Sequence, residues 1–363
     1  MHLKQFPSRR QFIQNTSLAI GVLEFPSIVG AAVPAKIKIG QIGTTHAHAL
    51  GKLTTIRSFH DLYELVGVVE PDAKRRDSFA RNKTFTGVKW INEEELLNTK
   101  GLKAVAVETD VRDLVPAGIR CLRAGMHIHL DKPAGISMGP CRQLHAEAIK
   151  RKLTIQMGYM LRYNPGFELL FQFVRDGWLG DLTELSGMMG KRAGAGLRKQ
   201  LEEFEGGGMF ELACHIIDAM VTVLGKPGNV TSFNHRTYPD KDTFADNQMA
   251  VFDYPKTIAT IRCNHLDPFG GPRRQFNVTG EYGTFEIRPM EPPSVRIALD
   301  RDRGKFKKGW QDVELPRSNG RYDGDFLDLA KIIRGEKKLA WDSKHDLAVH
   351  ETVLRACGMK VDA

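Results

Sequence analysis

The chain has 363 residues, 42% hydrophobic and 26% charged, a soluble globular composition, and it is too long for one ordinary core, so two domains are expected. Its formal net charge of +9 is scattered through helices and loops without an arginine-rich arm, so no nucleic-acid partner is expected. Five cysteines (Cys121, Cys141, Cys214, Cys263 and Cys357) lie far apart with no CxxC, which encodes neither a disulfide framework nor a zinc knuckle.

In chain order, Arg9 and Arg10 precede an apolar stretch, Leu18 to Val33, that ends in the small residues Ala31, Ala32 and Ala35. This succession resembles a twin-arginine export signal, so residues 1–35 are expected to be an address and the mature protein periplasmic or otherwise extracytoplasmic. Glu24 and Pro26 interrupt the stretch, which is too short for a membrane span.

From Lys36 strands and helices alternate. Residues 36–42 read as a strand that stops at Gly43, and a helix is predicted from Thr45 to Phe59. A strand over 65–69 runs into Glu70-Pro71-Asp72, which opens a helix over 73–81. Residues 104–107 form a buried-type strand, 116–124 a helix, and 127–130 a strand entering Asp131-Lys132-Pro133; a helix over 137–152 and a strand over 153–157 follow. The alternation predicts an α/β fold with a doubly wound parallel sheet over 36–158. Beyond Tyr159 the rhythm changes to helices over 165–176 and 206–224, a run of strands from Asn229 to Leu299, and two closing helices over 322–334 and 343–357. This predicts a second α/β domain, 159–363, with a large, mainly antiparallel sheet.

Three segments carry chemistry. Gly43-Thr44-Thr45-His46-Ala47-His48 keeps the first glycine of a G-x-G-x-x-G dinucleotide fingerprint and puts Thr45 and His48 at the other two. A helix N-terminus and the Thr45 hydroxyl still offer donors to a phosphate. Glu70, 27 residues after Gly43, stands near where an acid accepts from an adenosine ribose 2′-OH and repels a 2′-phosphate, which favours NAD over NADP; a solvated strand end reads equally well. Lys132 follows a strand's carboxyl end, where open α/β sheets place ligands, and Pro133 keeps it out of helical space, which suits proton work. In the helix from Gly206, a spacing of 100° per residue puts Glu211, His215, Asp218 and Thr222 in one polar seam. A carboxylate four residues before a histidine can orient its ring; a core histidine satisfied by that carboxylate is the plain alternative. His46, His48 and His129 could face the same cleft, but no zinc-type spacing supports a metal and none is expected.

Together and in this order, these features resemble the glucose–fructose oxidoreductase/inositol dehydrogenase (Gfo/Idh/MocA) family over about residues 36–360. The matching segments are Ala104 to Pro133, ending in Asp-Lys-Pro where the family has E-K-P, then Gly158-Tyr-Met-Leu-Arg-Tyr-Asn164, and the helix Gly206 to Gly225 with the family's D-x-x-x-H as Glu211 and His215. The resemblance implies a Rossmann domain, a second domain with an open sheet, and NAD(P)-dependent hydride transfer on a sugar or polyol. It makes Lys132, Glu211 and His215 the catalytic residues, puts Gly43, Thr45, His46, Glu70, Thr109 and Lys132 against the cofactor, and puts Arg162, Tyr163 and Asp218 near the substrate. It also implies a small carbohydrate as partner and a homo-oligomer through the open sheet. Two other readings stay open: redox-neutral glycosidase-type chemistry by transient oxidation, and a carbohydrate-binding protein that has lost the cofactor. An enzyme exported already folded takes its nucleotide along, so tight binding is expected.

Overall fold

The computed structural model of the protein describes residues 34–317 and 320–361, and the expected export signal lies outside them. Lys36–Ala363 forms one compact unit that contains two sheets. The first is parallel, built from β1 (Ile37–Ile42), β2 (Tyr63–Val69), β3 (Leu102–Val107), β4 (His127–Leu130) and β5 (Ile155–Met157) in the order β2-β1-β3-β4-β5. Its strands are near-continuous apolar runs because helices cover them: Ile39, Val105 and Ile128 are fully buried. The helices are α1 (Ala49–Ser58), α2 (Ala73–Ala80), α3 (Glu93–Leu97), α4 (Val111–Arg123) and α5 (Met138–Arg151).

The local chemistry explains where these helices start. Asp72 caps α2 through the amides of Lys74 and Arg75, and Asp110 caps α4 through that of Arg112. Helix α4 therefore begins five residues before Pro116, which sits inside it rather than opening it as the sequence suggested. Helix α1 begins at Ala49, later than expected, because Thr44 to His48 form a loop pinned to neighbouring strand ends. Gly43 makes the turn at φ +89°, and a Cβ there would lie 2.8 Å from the Glu108 backbone, so the retained glycine is required.

After α6 (Pro165–Arg175) the chain enters an eight-stranded sheet at β6 (Leu182–Gly190), followed by α7 (Ala195–Leu201), a π-helical turn at Met209–Ala213 and α8 (Cys214–Leu224). The other strands are β7 (Asn229–His235), β8 (Asn247–Asp253), β9 (Ile258–Asn264), β10 (Gln275–Gly280), β11 (Gly283–Met290), β12 (Pro293–Leu299) and β13 (Gly309–Val313), with the four-residue α9 (Gly270–Arg273) between β9 and β10. Their order is β13-β12-β11-β10-β6-β9-β8-β7, antiparallel except where β6 pairs with β9. Burial alternates along β8, β9 and β12, so one face is packed and the other open. Phe276 and Phe285 on the packed face meet Phe167 and Phe173 of α6. Each such ring contributes on the order of 2–3 kcal/mol by leaving water. Helices α10 (Asp323–Ile333) and α11 (Ser343–Ala356) close the chain.

Candidate active site

The carboxyl ends of β1, β2 and β3 open into a cavity of about 830 Å³ lined by Gly43, Thr45, Glu70, Arg76, Thr109 and Asp110. Glu70 ends β2 and is 6% exposed; its Oε2 accepts from the amide (3.2 Å) and hydroxyl (2.5 Å) of Thr44, and its Oε1 from the amide of Asp72. The carboxylate thus holds the glycine turn as well as facing the cavity. The loop amides are partly spent inside the protein: that of His46 on the Glu108 carbonyl, that of His48 on His46 Nδ1. A dinucleotide phosphate would meet the Thr45 and Ala47 amides and the Thr45 hydroxyl instead. The glycine turn, the acidic strand end and the cavity between them fit the adenosine half of such a cofactor.

A second, smaller cavity of about 110 Å³ shares Thr45, Thr109 and Asp110 with the first and reaches His46, His48, Lys132, Lys191 and Glu211. Behind it lies a buried charge cluster. Asp131 Oδ2 is 2.6 Å from Lys52 Nζ, 2.9 Å from His46 Nδ1 and 3.2 Å from His48 Nδ1. Lys52 Nζ also lies 3.1 Å from Glu108 Oε1. Burial drives Glu108 well above the usual carboxylate range, reinforced by the negative charge of Asp131 and only partly opposed by Lys52. Burial would do the same to Asp131, but His46, Lys52 and His48 hold it well below. Burial would discharge Lys52, yet Asp131 and Glu108 keep it charged. The sequence offers His48 as a lost glycine and, with His46 and His129, as a residue that could face the cleft, but it does not single out Lys52 or Glu108. The readable signal was an H-x-H followed four residues later by a lysine on an otherwise apolar helix face.

Lys132, 2% exposed, donates from Nζ to the Glu211 carbonyl oxygen at 2.7 Å. His215 is 1% exposed, with its ring centroid 5.9 Å from that of His48 and 6.2 Å from that of Tyr159, so it sits one ring behind the cavity lining. Burial, together with the charge of Lys132 and the neighbouring His48, lowers His215 well below its ordinary value. The expected pairing of Glu211 with His215 does not form. The π-helical turn at Met209–Ala213 carries an i→i+5 pattern, which breaks the 100° periodicity on which the polar seam was drawn. Glu211 instead lies 3.0 Å from Lys191 Nζ and 3.5 Å from His265 Nε2. Burial would raise its carboxyl, but the His265 hydrogen bond and the charges of Lys132 and Lys191 hold it well below the usual range. Gly208 lets this turn approach the sheet, since a Cβ there would lie 2.3 Å from the His265 ring.

The three expected substrate neighbours are elsewhere. Arg162, 2% exposed, grips Asp218 with Nε and Nη2 and reaches Asp346 with Nη2 at 2.6 Å, and His345 also contacts Asp218. The charges of Arg162 and Asp218 are consumed by each other, which ties α8 to α11. Tyr163 donates to Asp328 and accepts from Gln156 beneath α10. None of the three lines either cavity of the cleft. Arg162 and Tyr163 line a separate cavity of about 790 Å³ with Phe171 and Trp341, and Arg162 with Asp218 joins α8 to α11.

Comparison with known proteins agrees with this architecture. A family described as "Oxidoreductase family, NAD-binding Rossmann fold" matches residues 37–159, and "GFO/IDH/MocA C-terminal domain" matches 167–286. Inositol 2-dehydrogenase of Salmonella typhimurium is 22% identical over 295 residues, 81% of this chain and 83% of that protein. Trans-1,2-dihydrobenzene-1,2-diol dehydrogenase of Bos taurus is 25% identical over 195 residues, 53% of this chain and only 57% of the bovine protein. Among solved structures, an aldose-aldose oxidoreductase from Caulobacter crescentus complexed with glycerol superposes with a TM-score of 0.76 at 17% identity, covering 89% of this chain and 98% of that one. The WlbA dehydrogenase of Bordetella pertussis, in complex with NADH and UDP-GlcNAcA, gives 0.72 at 15%, covering 89% and 97%. With both halves of its fold matched and a dinucleotide-type cleft at the carboxyl edge of its parallel sheet, the chain belongs to the Gfo/Idh/MocA family of oxidoreductases.

Proposed function

We propose that this oxidoreductase binds NAD in preference to NADP and moves hydride to or from a hydroxyl-bearing carbon of a sugar or polyol. The observation that carries the reading is the convergence of Lys132, His48 and, behind it, His215 at the inner end of a cleft whose outer end carries Gly43 and Glu70. Gly43, Thr45, Glu70 and Thr109 would hold the nucleotide, which when bound supplies the nicotinamide carbon that accepts or donates hydride. Lys132 has one N–H on the Glu211 carbonyl and two left to orient a substrate hydroxyl. His215 takes or returns the hydroxyl proton. Glu211 acts at one remove, by holding Lys191 and His265 around the turn that presents its carbonyl to Lys132. The preference for NAD is supported by the Glu70 carboxylate, which a 2′-phosphate would meet with like charge. Arg76 lines the same cavity, but its Nη1 is engaged by the carbonyls of Glu70 and Pro71.

Relatives named for inositol and aldoses support a polyhydroxylated substrate, as do the Lys132, Lys191 and Glu211 side chains in the cavity wall. The arginine pair at Arg9-Arg10 supports export in folded form, and an exported enzyme must carry its nucleotide and return it to its starting redox state in each cycle. That requires a dissociation constant of about nanomolar or below, roughly −12 kcal/mol. The open face of the second sheet, with Phe233, Ile258 and Trp310 exposed, suits a second copy of the chain. The test is calorimetric titration of NAD(H) and NADP(H) into nucleotide-stripped protein, followed by turnover on polyols. Tighter NADP(H) binding overturns the cofactor preference. Net accumulation of reduced nucleotide during turnover overturns the redox-neutral cycle. A protein that neither carries nor binds nucleotide is a binding protein.

A further inference from the structure

The inner wall of the cleft has the makings of a metal centre, and we propose that His46, His48 and Asp131 hold one divalent transition-metal ion of the zinc class, with its remaining positions open to the cleft. One ligand atom from each of the three lies within 4.8 Å of the others. Nδ1 of His46 and Nδ1 of His48 stand 2.9 and 3.2 Å from Asp131 Oδ2. Bonds of about 2.0–2.2 Å to a tetrahedral ion separate its ligands by roughly 3.4 Å, so small side-chain rotations suffice.

The hydrogen bonds around His46 give an independent reason. Its Nε2 lies 3.1 Å from the Lys132 carbonyl oxygen, where the ring must donate. Its Nδ1 faces the His48 amide N–H at 3.3 Å, where the ring must accept. In that tautomer the Nδ1 lone pair also points at the Asp131 carboxylate, an arrangement that a cation between the two relieves. A metal-bound histidine that gives its other N–H to a backbone carbonyl is the usual outer-shell arrangement. Glu108, fully buried, supplies a further observation: its Oε1 meets only the Lys52 ammonium, at 3.1 Å, while its Oε2 has no hydrogen-bond partner and lies 3.8 Å from His46 Nδ1.

Charge decides whether Lys52 forbids the ion. Lys52 offsets Asp131, so the charge of a dication falls to the Glu108 carboxylate and one hydroxide or alkoxide ligand, which together balance it in a dry pocket. The N-terminus of α1 and the Lys132 ammonium oppose a cation here, which is why the second carboxylate is needed. The open positions point into the cavity that Lys132 lines, so the ligand completing the sphere is water or a hydroxyl or carbonyl oxygen of the substrate, polarised on binding. This assignment does not depend on the nucleotide.

The experiment uses the full chain stripped with chelator and titrated with Co²⁺, whose visible d–d bands report coordination by nitrogen and oxygen, and with Zn²⁺ by calorimetry. The expected result is about one ion per chain, weakened at least about tenfold in His46→Ala or His48→Ala and lost in the double variant. Melting temperatures of the stripped forms serve as the fold control. His48→Gln, which keeps a hydrogen bond to Asp131, gives the same loss if His48→Ala fails to fold. Absence of bands and heat up to about millimolar metal overturns the proposal, as does binding that survives in the double variant.

Discussion

Two of the buried charge clusters in this molecule differ in how fully their members are paired. In the cluster between α8 and α11, Arg162 grips Asp218 through Nε and Nη2, reaches Asp346 and stacks over Tyr159 and Trp341, leaving only Asp346 Oδ2 without a partner. The cluster at the cleft has two carboxylates and two imidazoles around one ammonium, with neither Glu108 oxygen in a hydrogen bond and its Oε1 in an ion pair with Lys52. A satisfied network rigidifies, whereas an unsatisfied one costs stability and marks where something else binds. The Arg162-Tyr163 segment singled out in the sequence falls on the first cluster. The proposed chemistry lies at the second.

The comparison breaks most visibly through substitution on the cleft side. Lys132→Ala and His215→Ala should each lower turnover on the order of 10²–10⁴-fold with melting temperature within a few degrees of the parent. Steady-state kinetics and calorimetry check this, and a His215→Ala protein that simply unfolds would make His215 a core histidine. Arg162→Met should do the reverse. It strands Asp218 and Asp346 in the interior and should cost about 3–5 kcal/mol in denaturant unfolding, while whatever protein remains folded turns over normally.

Beside the closed cluster, His145 and His350 are buried on α5 and α11. Burial pushes both down to about 4, helped at His145 by His350 and Arg162 and opposed by Asp342. Because the folded values are depressed below the unfolded 6.5, their stabilisation is present above pH 6.5 and is lost as pH falls through 4. Each contributes at most about 3 kcal/mol over that window. Melting temperature should therefore fall steeply below pH 6.5, and His350→Gln should flatten the decline; an unchanged profile would show that these rings are not the acid-labile element. Asp346 has the opposite sign. Burial raises it to about 6 against Arg162, so its contribution is lost as pH rises through 6, and Asp346→Asn should match or slightly exceed the parent in stability at pH 8. The smallest effect is expected at the outer end of the cleft. Glu70→Gln should narrow the preference for NAD over NADP by about tenfold, or 1.4 kcal/mol, as read by titration.

The sequence by itself determined the α/β alternation, the strand ends that carry Glu70 and Lys132, and the need for glycine at residue 43. These follow from apolar runs, capping residues and turn chemistry, which act within a few residues of each other. Glu211 shows where such reasoning stops, since a helical period extended through a stretch that winds as a π-turn puts the carboxylate on the wrong partner. The pairing of Arg162 with Asp218 across 56 residues, and of His48 with Asp131 across 83, was decided by the tertiary structure alone. Burial removes water from every member of such a cluster, so each charge takes the counter-charge that the packed elements bring to it, however distant in the chain.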